Sequence, residues 1–300
     1  MVKVTTQALN QIFQPNLKSK RTEGHSFANN SHNEAIHIAT WRDLLNLGNA
    51  TDFFSRRTFL PFDPSTSEFT PTHALWLAEL CRLAYRHDTE ADSCPTRANI
   101  LENSGFKHPQ LFSSTATNAQ AMLIELNSNE SRYAALIFRG TEQNIKDVFM
   151  DLSIGILRHQ NNKIDVKEAF KKALDSIWGE IASAVQQLNY PLFFAGHGLG
   201  AALATLAAAR HPPTALYTFG SPRVGDATFA ASLSRIENTF HRVVYDEDIV
   251  TDLPPMELGF QHVGKALHLP ATLSLSWMNN SLHPPRFLAD HAAINYVDRV

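Results

Sequence analysis

Short apolar runs alternate with amphipathic segments along residues 71–300. Runs with the length of buried strands occur at residues 121–126, 133–138, 192–195, 214–219 and 240–245. Between the second and third of these runs, Phe170, Ile177 and Ile181 recur at helical spacing and mark a long helix. Strands that alternate with helices predict an α/β fold, with a mostly parallel central sheet and helices on both faces. In such folds, functional groups gather at the carboxyl ends of the strands.

Residues 1–70 lack this regular pattern. Asn, Ser, His and Lys are frequent up to about residue 35, and so polar a segment buries too little apolar surface to order itself. Aromatic and aliphatic residues then crowd together at Phe53, Phe54, Phe59, Leu60 and Phe62. We therefore predict an N-terminal extension at residues 1–70, either partly disordered or acting as a cap, and a main domain at residues 71–300.

The overall charge is close to neutral, with 26 Lys and Arg against 29 Asp and Glu. Nucleic-acid-binding domains usually carry a basic surface, so we expect no nucleic acid partner. No apolar run reaches about 18 residues, so we expect no transmembrane segment. The N-terminus lacks a basic start followed by an apolar stretch. This predicts a cytoplasmic protein, or one exported without a recognisable cleaved signal peptide.

Cysteine and histidine indicate neither a disulfide framework nor a metal site. Cys81 and Cys94 are two residues that could pair, but the place of Cys81 on the apolar side of a helix favours a buried free thiol. His32 and His37 lie five positions apart, whereas zinc-binding pairs on one helix face lie about four apart. We expect no metal and no other cofactor.

A glycine-rich turn stands at the centre of the predicted domain. An apolar strand at residues 192–195 leads into GHGLG at residues 196–200, and a helix rich in Ala and Leu follows at residues 201–210. This order of strand, tight turn and helix is typical of the nucleophile elbow G-x-S-x-G of α/β-hydrolases. The central position, where the nucleophilic serine is expected, holds Gly198.

Two other interpretations of this turn exist. Gly196, Gly198 and Ala201 also fit the dinucleotide-binding fingerprint G-x-G-x-x-G/A. That site needs an acidic residue at the end of the next strand to hold a ribose hydroxyl, but residues 214–219 end in Gly-Ser-Pro. The turn could also be a tight packing contact with no chemistry, and the remaining motifs decide between these alternatives.

Four motifs in a fixed order give the chain its resemblance to a known family. They are FRGT at residues 138–141, GHGLG at 196–200, TFGSPRVGD at 218–226, and DIV with LPP at 248–250 and 253–255. In this order, with each motif at or after a predicted strand end, the chain resembles the class 3, fungal-type lipases over residues 72–297. The resemblance implies an α/β-hydrolase fold and a Ser-His-Asp mechanism of acyl transfer.

The resemblance also implies roles for individual positions. Gly198 takes the place of the nucleophile, Asp248 that of the triad acid, and His291 that of the base. The hydroxyl of Thr141 and the backbone N–H of Leu199 take the place of the oxyanion hole. The physical demands of acyl transfer agree, because the nucleophile needs a base, the base needs an orienting acid, and the oxyanion needs donors.

Alternatives remain at several of these positions. Asp246 and Asp252 compete with Asp248 for the role of the acid, and His283 competes with His291 for that of the base. The apolar stripe of Ile145, Val148 and Phe149 takes the place of a lid that contacts substrate, but the same spacing also suits an ordinary core helix. His197 fits a structural part of the elbow better than a catalytic group.

Two departures from the family pattern bear on function. Before the long helix only Phe170 matches the family, which is peripheral to the chemistry. At residue 198 no hydroxyl is available, so no acyl-enzyme can form by the family route. We therefore predict a carboxylic ester hydrolase scaffold for acylglycerols or other lipids, inactivated at Gly198, whose substrate could lie at a lipid–water interface. The alternative is a catalytically dead module that binds an acyl ligand or a protein partner.

Overall fold

The computed structural model of the chain describes residue 37 and residues 39–86, 95–107, 109–127, 132–140, 166–269 and 283–300. All of them belong to one compact unit, residues 32–300. Among the described residues, no helix combines the length and apolar character that crossing a membrane would require.

A seven-stranded sheet forms the centre of this unit, and its strands lie side by side in chain order. The strands are β1 (Gln110–Ser113), β2 (Gln120–Asn127), β3 (Arg132–Arg139), β4 (Leu192–His197), β5 (Ala215–Phe219), β6 (Phe240–Tyr245) and β7 (Lys265–Leu269). Strands β1, β2 and β3 pair antiparallel, whereas β3 to β7 pair parallel. The predicted α/β fold with a mostly parallel sheet is confirmed.

Helices cover the two faces of the sheet. In the described ranges they are α1 (Trp41–Leu45), α2 (Pro71–Leu83), α3 (Arg97–Asn103), α4 (Val166–Val185), α5 (Leu199–Arg210), α6 (Ala227–Ser232), α7 (Arg286–Ala289) and α8 (Ala293–Arg299). One core contains buried residues of α2 and α8, and a second contains those of α4 and α5. The sheet therefore lies between two layers of helices.

The end of the chain differs from the prediction of one helix at residues 290–300. The structure has two short helices, α7 and α8, separated by residues 290–292. The amide of Asn295 donates a hydrogen bond of 2.6 Å to the carbonyl of Ala289, which satisfies the end of α7 from outside that helix. His291 therefore lies in a break between helices, whereas the sequence pattern placed it within one.

The described part of the segment before residue 70 packs on the sheet domain. Phe53 and Phe62 belong to the same core as α2. Arg56 binds Asp298 of α8 through two hydrogen bonds of 2.7 and 2.8 Å, and Arg57 donates to the Asp298 carbonyl at 2.6 Å. These contacts fasten the segment to the last helix. A domain boundary at residue 70 stays a prediction.

Candidate active site

The turn after β4 forces two backbones together. A Cβ on Gly196 would collide with the backbone of Gly200, and a Cβ on Gly200 would collide with the backbone of Phe138 on β3. Glycine is therefore required at both flanking positions of the motif. These contacts bring the end of β3 against the first turn of α5. The turn after β4 is therefore packed closely against the neighbouring strand.

Gly198 has the backbone conformation of a strained elbow. Its φ is 58° and its ψ is −123°, a combination that residues with a Cβ rarely adopt. Its N–H donates to the carbonyl of Phe219 at the end of β5, at 3.0 Å, which ties the turn to the neighbouring strand. The elbow geometry predicted from residues 192–210 is thus present with glycine at its apex.

Asp248 and His291 meet beside this apex. The Nδ1 atom of His291 lies 3.0 Å from Oδ1 and 2.9 Å from Oδ2 of Asp248, and both side chains are buried. Because the carboxylate only accepts, Nδ1 carries the proton and Nε2 of the neutral ring is left as the basic nitrogen. The structure therefore brings together the two side chains that the resemblance assigned to acid and base.

Two further donors hold the Asp248 carboxylate. The hydroxyl of Tyr296 donates to Oδ2 at 2.6 Å, and the N–H of Val250 donates to Oδ1 at 2.9 Å. Burial opposes ionisation of Asp248, but His291 and these hydrogen bonds outweigh it and lower the pKa of the carboxyl below its ordinary value. Asp248 is consequently an ionised partner that fixes the orientation of the imidazole.

The rival residues are engaged elsewhere. Asp246 forms an ion pair with Arg286, and Asp252 forms one with Arg223 at 3.4 Å. Nδ1 of His283 lies 3.3 Å from the carbonyl of Ala39. No described contact joins any of these rivals to the Asp248–His291 pair.

Arg286 links the loop that carries the acid to the loop that carries the base. Its guanidinium contacts Asp246, lies 3.9 Å from Glu247, and lies 3.7 Å from Asp290. The N–H of Glu247 also donates to Asp290 at 3.1 Å. Burial raises the pKa of Asp290 to about 7, although the Glu247 N–H acts in the opposite direction. This cluster braces the two loops on either side of the pair.

His197 packs directly against His291. The two rings are stacked, with centroids 4.5 Å apart and planes 29° apart, and Nε2 of His197 lies 2.8 Å from the His291 carbonyl. Since a carbonyl can only accept, Nε2 carries the proton, and Nδ1 accepts from the hydroxyl of Tyr85 at 3.2 Å. Burial, followed by the proximity of His291, lowers the pKa of His197 to about 3. His197 is thus a neutral support for His291.

The place that a side chain at residue 198 would take lies directly beside His291. A Cβ built on Gly198 would lie 2.9 Å from Nε2 and 3.2 Å from Cε1 of His291. The first distance is too short for an ordinary van der Waals contact. A serine at this position would therefore direct its hydroxyl towards the basic nitrogen, provided that the imidazole moved away by a few tenths of an ångström.

Gly220 underlies the Asp248–His291 pair. A Cβ at this glycine would lie 2.5 Å from Oδ2 of Asp248, 3.0 Å from Nδ1 of His291 and 3.0 Å from the Tyr296 hydroxyl. Its φ of 57° also favours glycine. The neighbouring Ser221 donates its hydroxyl to the carbonyl of Pro222 at 2.9 Å, so this serine is committed within its own loop.

Several predicted positions can be placed only in part. Leu199 is the first residue of α5, so its N–H has no acceptor within the helix. Thr141, and the stripe formed by Ile145, Val148 and Phe149, lie outside the described residues. Cys81 is buried as a free thiol, and Cys94 also lies outside the described residues. Within the described ranges, no group of three His, Cys, Asp or Glu side chains could hold a metal ion.

Three features of the site were not found from the sequence. Tyr296 lies 48 positions after Asp248, and no local pattern connects the two. Gly220 stands in the motif GSPRVGD, but only the three-dimensional contact reveals that it makes room for the Asp248 carboxylate. The stacking of His197 on His291 was likewise not evident, because the sequence places them 94 positions apart.

A half-buried histidine that is hydrogen bonded to the segment after Asp248 predicts loss of stability in acid. Nε2 of His262 donates to the carbonyl of Thr251 at 2.8 Å. Burial, followed by repulsion from Arg242, lowers the pKa of His262 to about 3. In the unfolded chain the pKa of a histidine is about 6.5, so the unfolded chain takes up the proton at a higher pH than the folded chain does. The neutral His262 therefore contributes its full stability above about pH 6.5, and this contribution is lost as the pH falls from there towards the pKa of the folded chain.

To test this prediction, the original chain is compared with the variant His262→Gln, whose amide keeps a hydrogen-bond donor but does not titrate. From pH 7 to pH 5, we expect the free energy of unfolding to fall by about 2 kcal/mol more in the original chain than in the variant. Urea unfolding at both pH values measures this difference. Other titrating groups are common to both proteins and cancel in the comparison. Equal losses in the two proteins would contradict the assignment of a neutral His262 in the folded chain.

Comparisons with known proteins extend this picture. Residues 135–258 match the family Lipase (class 3). A secreted mono- and diacylglycerol lipase A of Penicillium cyclopium is 40% identical over 101 residues, which cover 32% of this chain and 33% of that protein. A lipase of Rhizomucor miehei is 28% identical over 206 residues, or 60% of this chain and 56% of that protein. The matches therefore span from about a third to about half of the length of these curated relatives.

Solved structures agree with the fold. A structure from a study of a buried polar cluster in a family of fungal lipases superposes with a TM-score of 0.50 at 21% identity, covering 71% of this chain and 84% of that chain. At this identity the likeness bears on the fold alone. Together with the strand order, it shows that this chain has an α/β fold with a mostly parallel seven-stranded sheet, like that of fungal lipases, and residues 135–258 are the segment that is similar to the class 3 lipases.

Proposed function

We propose that this site is the acyl-transfer centre of a carboxylic ester hydrolase whose covalent route is closed by Gly198. One observation supports the proposal above all. The Asp248–His291 pair is buried, fully hydrogen bonded at the Asp248 end, and directed so that Nε2 lies 2.9 Å from the place of a Cβ at residue 198. A site that had lost all catalytic function would have no need to retain this arrangement.

In the complete reaction each group has a defined task. A serine hydroxyl at residue 198 would attack the acyl carbonyl while Nε2 of His291 accepts its proton, and Asp248 would stabilise the resulting imidazolium. In this proposal the N–H of Leu199 and the hydroxyl of Thr141 donate to the oxyanion. Ile145, Val148 and Phe149 contact the acyl chain as part of a lid. Glycine has no side-chain oxygen that could form the covalent bond with the acyl carbon.

Acylglycerols are the proposed substrate class. Support comes from the relatives, because the matched protein of Penicillium cyclopium is a mono- and diacylglycerol lipase and that of Rhizomucor miehei is a lipase. The matches cover only part of each relative, so the head group and chain length are left open within this class. A lipid–water interface is the proposed place of action.

A binding module is the second candidate, and one observation favours it. His291 stands so close to Gly198 that a side chain at residue 198 fits only after the imidazole moves. In this alternative, the site has relaxed around the glycine and the chain holds an acyl ligand or a protein partner. The two candidates differ in whether a serine restores covalent chemistry.

Labelling with an alkyl fluorophosphonate separates these candidates. This reagent forms a covalent adduct with a serine that is activated by a neighbouring base. We expect Gly198→Ser to gain one adduct on the peptide that contains residue 198, and we expect the original chain and a Gly198→Ser, His291→Gln double variant to gain none. Intact mass and peptide mapping provide the measurement. A folded Gly198→Ser variant that stays unlabelled would overturn the hydrolase proposal and favour the binding module.

A further inference from the structure

We propose that His291 and Asp248 catalyse slow ester hydrolysis in the chain as it stands, with a water molecule attacking the acyl carbonyl from the space beside Gly198. This inference rests on the proposed function, because it uses the same base and the same class of substrate. It assigns the chain an activity that needs neither a serine nor an acyl-enzyme.

The first support is the state of the base. Asp248 binds the Nδ1–H of His291 at 2.9 and 3.0 Å, so the lone pair of the neutral ring resides on Nε2. Nε2 forms no hydrogen bond with any residue in the described ranges. Because the side chain is also buried, this nitrogen is a general base held within the site and free to accept a proton.

The second support is the space in front of that nitrogen. Around a Cβ built on Gly198, the two atoms of His291 at 2.9 and 3.2 Å are the only described heavy atoms within 4 Å, apart from the chain neighbours of Gly198. A serine or an alanine would occupy this space with carbon. With only a hydrogen there, a water oxygen can approach Nε2 to hydrogen-bond distance, roughly 2.7–3.2 Å.

The third support is the start of α5 directly after Gly198. Leu199 begins this helix, and its N–H lacks an acceptor within the helix. The helix is 12 residues long, so its positive end favours negative charge next to residue 198. The charge that develops on the acyl oxygen during attack by water is the same as during attack by serine. The N–H of Leu199 can therefore stabilise this charge with either nucleophile.

The proposed step balances without any further reactant. The water oxygen forms a bond with the acyl carbon while Nε2 of His291 accepts one proton from the water. The tetrahedral intermediate then breaks its bond to the alcohol oxygen, which takes the proton back from Nε2–H. A carboxylic acid and an alcohol leave, and His291 returns to its neutral form beside ionised Asp248.

Hydrolysis of p-nitrophenyl butyrate by three purified proteins tests this inference. Gly198→Ala keeps the base and the acid but fills the space beside Nε2, whereas His291→Gln removes the base and leaves the space open. We expect slow, linear hydrolysis by the original chain and a rate about 10²-fold lower in each variant. Circular dichroism checks that both variants fold. If Gly198→Ala does not fold, the comparison with His291→Gln decides alone.

The outcomes separate this inference from the proposed function. A rate that is unchanged in His291→Gln overturns the inference, as does a folded Gly198→Ala that retains the full rate. If Gly198→Ser is then labelled by fluorophosphonate, the proposed function stands without the inference. If Gly198→Ser stays unlabelled while the original chain hydrolyses the ester with His291 dependence, the water route stands and the covalent proposal fails.

Discussion

Replacing Gly198 by serine is expected to raise the turnover of p-nitrophenyl esters by at least about 10³-fold. In serine hydrolases, removing the nucleophile costs roughly 10⁶ in kcat, and a site that must readjust should recover part of this factor. The proposed base and acid are already paired, since Nδ1 of His291 binds Asp248 at 2.9 Å. Steady-state assays with a short and a long acyl ester measure the gain and also report the chain-length preference.

The gain in turnover should come with a loss of stability. Residue 198 has a φ of 58°, and a side chain there is strained by about 1–3 kcal/mol. His291 must also yield, although Asp248 and the stacked ring of His197 hold it in place. Gly198→Ala is the matched control, because it adds the same Cβ without the hydroxyl. A serine variant that is folded and inert, with the same stability loss as alanine, would contradict the hydrolase account.

Asp248→Asn in the Gly198→Ser variant is expected to lower kcat by about 10⁴-fold. In serine hydrolases this change leaves the geometry nearly intact but holds the histidine in the wrong tautomer. Here the asparagine would present an amide to Nδ1 of His291, and Nε2 would then carry the proton and lose its basicity. The kcat values of the single and the double variant for ester hydrolysis, measured at one pH on proteins that circular dichroism shows to be folded, give the size of the loss.

Tyr296→Phe in the same background is the control for this prediction. It removes the hydrogen bond of 2.6 Å to Oδ2 of Asp248 but leaves His291 and the Val250 N–H as partners of the carboxylate. We therefore expect a smaller loss than for Asp248→Asn. Equal losses in the two double variants would show that the carboxylate acts through the hydroxyl of Tyr296, and the assignment of Asp248 as the direct partner of the base would be wrong.

The fold could be predicted largely because its signals are local. Residues 192–210 contain an apolar strand, a turn without side chains and a helix of small residues within one short stretch, and each part appears in the structure. The parallel sheet follows from strands that alternate with helices. The proximity of Asp248 to His291 could also be anticipated, because the resemblance to class 3 lipases assigns them to the acid and the base of one triad.

The packing around the site could not be predicted in the same way. Tyr296, Gly220 and His197 act through contacts between distant parts of the chain, which leave no periodic signal in the sequence. In the break at residues 290–292, the carbonyl of Ala289 accepts hydrogen bonds from the N–H of Ala292 and from the Asn295 side chain. Helical periodicity continues through such a break, so the pattern of residues 290–300 predicted one helix.

The contacts between the segment before residue 70 and the last helix could not be predicted either. Arg56 and Arg57 bind groups at residues 297–300, more than 200 positions away in the chain. Charged side chains in an irregular segment do not reveal their partners from sequence. Their contacts with α8 also support Tyr296, which belongs to the same helix and donates to Asp248.

The most direct test of the proposal that this site lacks only a nucleophile is a pre-steady-state measurement of p-nitrophenol release. A covalent acyl-enzyme that forms faster than it is hydrolysed gives a burst. We expect Gly198→Ser to release close to one equivalent of p-nitrophenol per protein molecule in the burst, and the original chain to release product linearly without one. A folded Gly198→Ser variant that shows neither burst nor turnover would contradict the account.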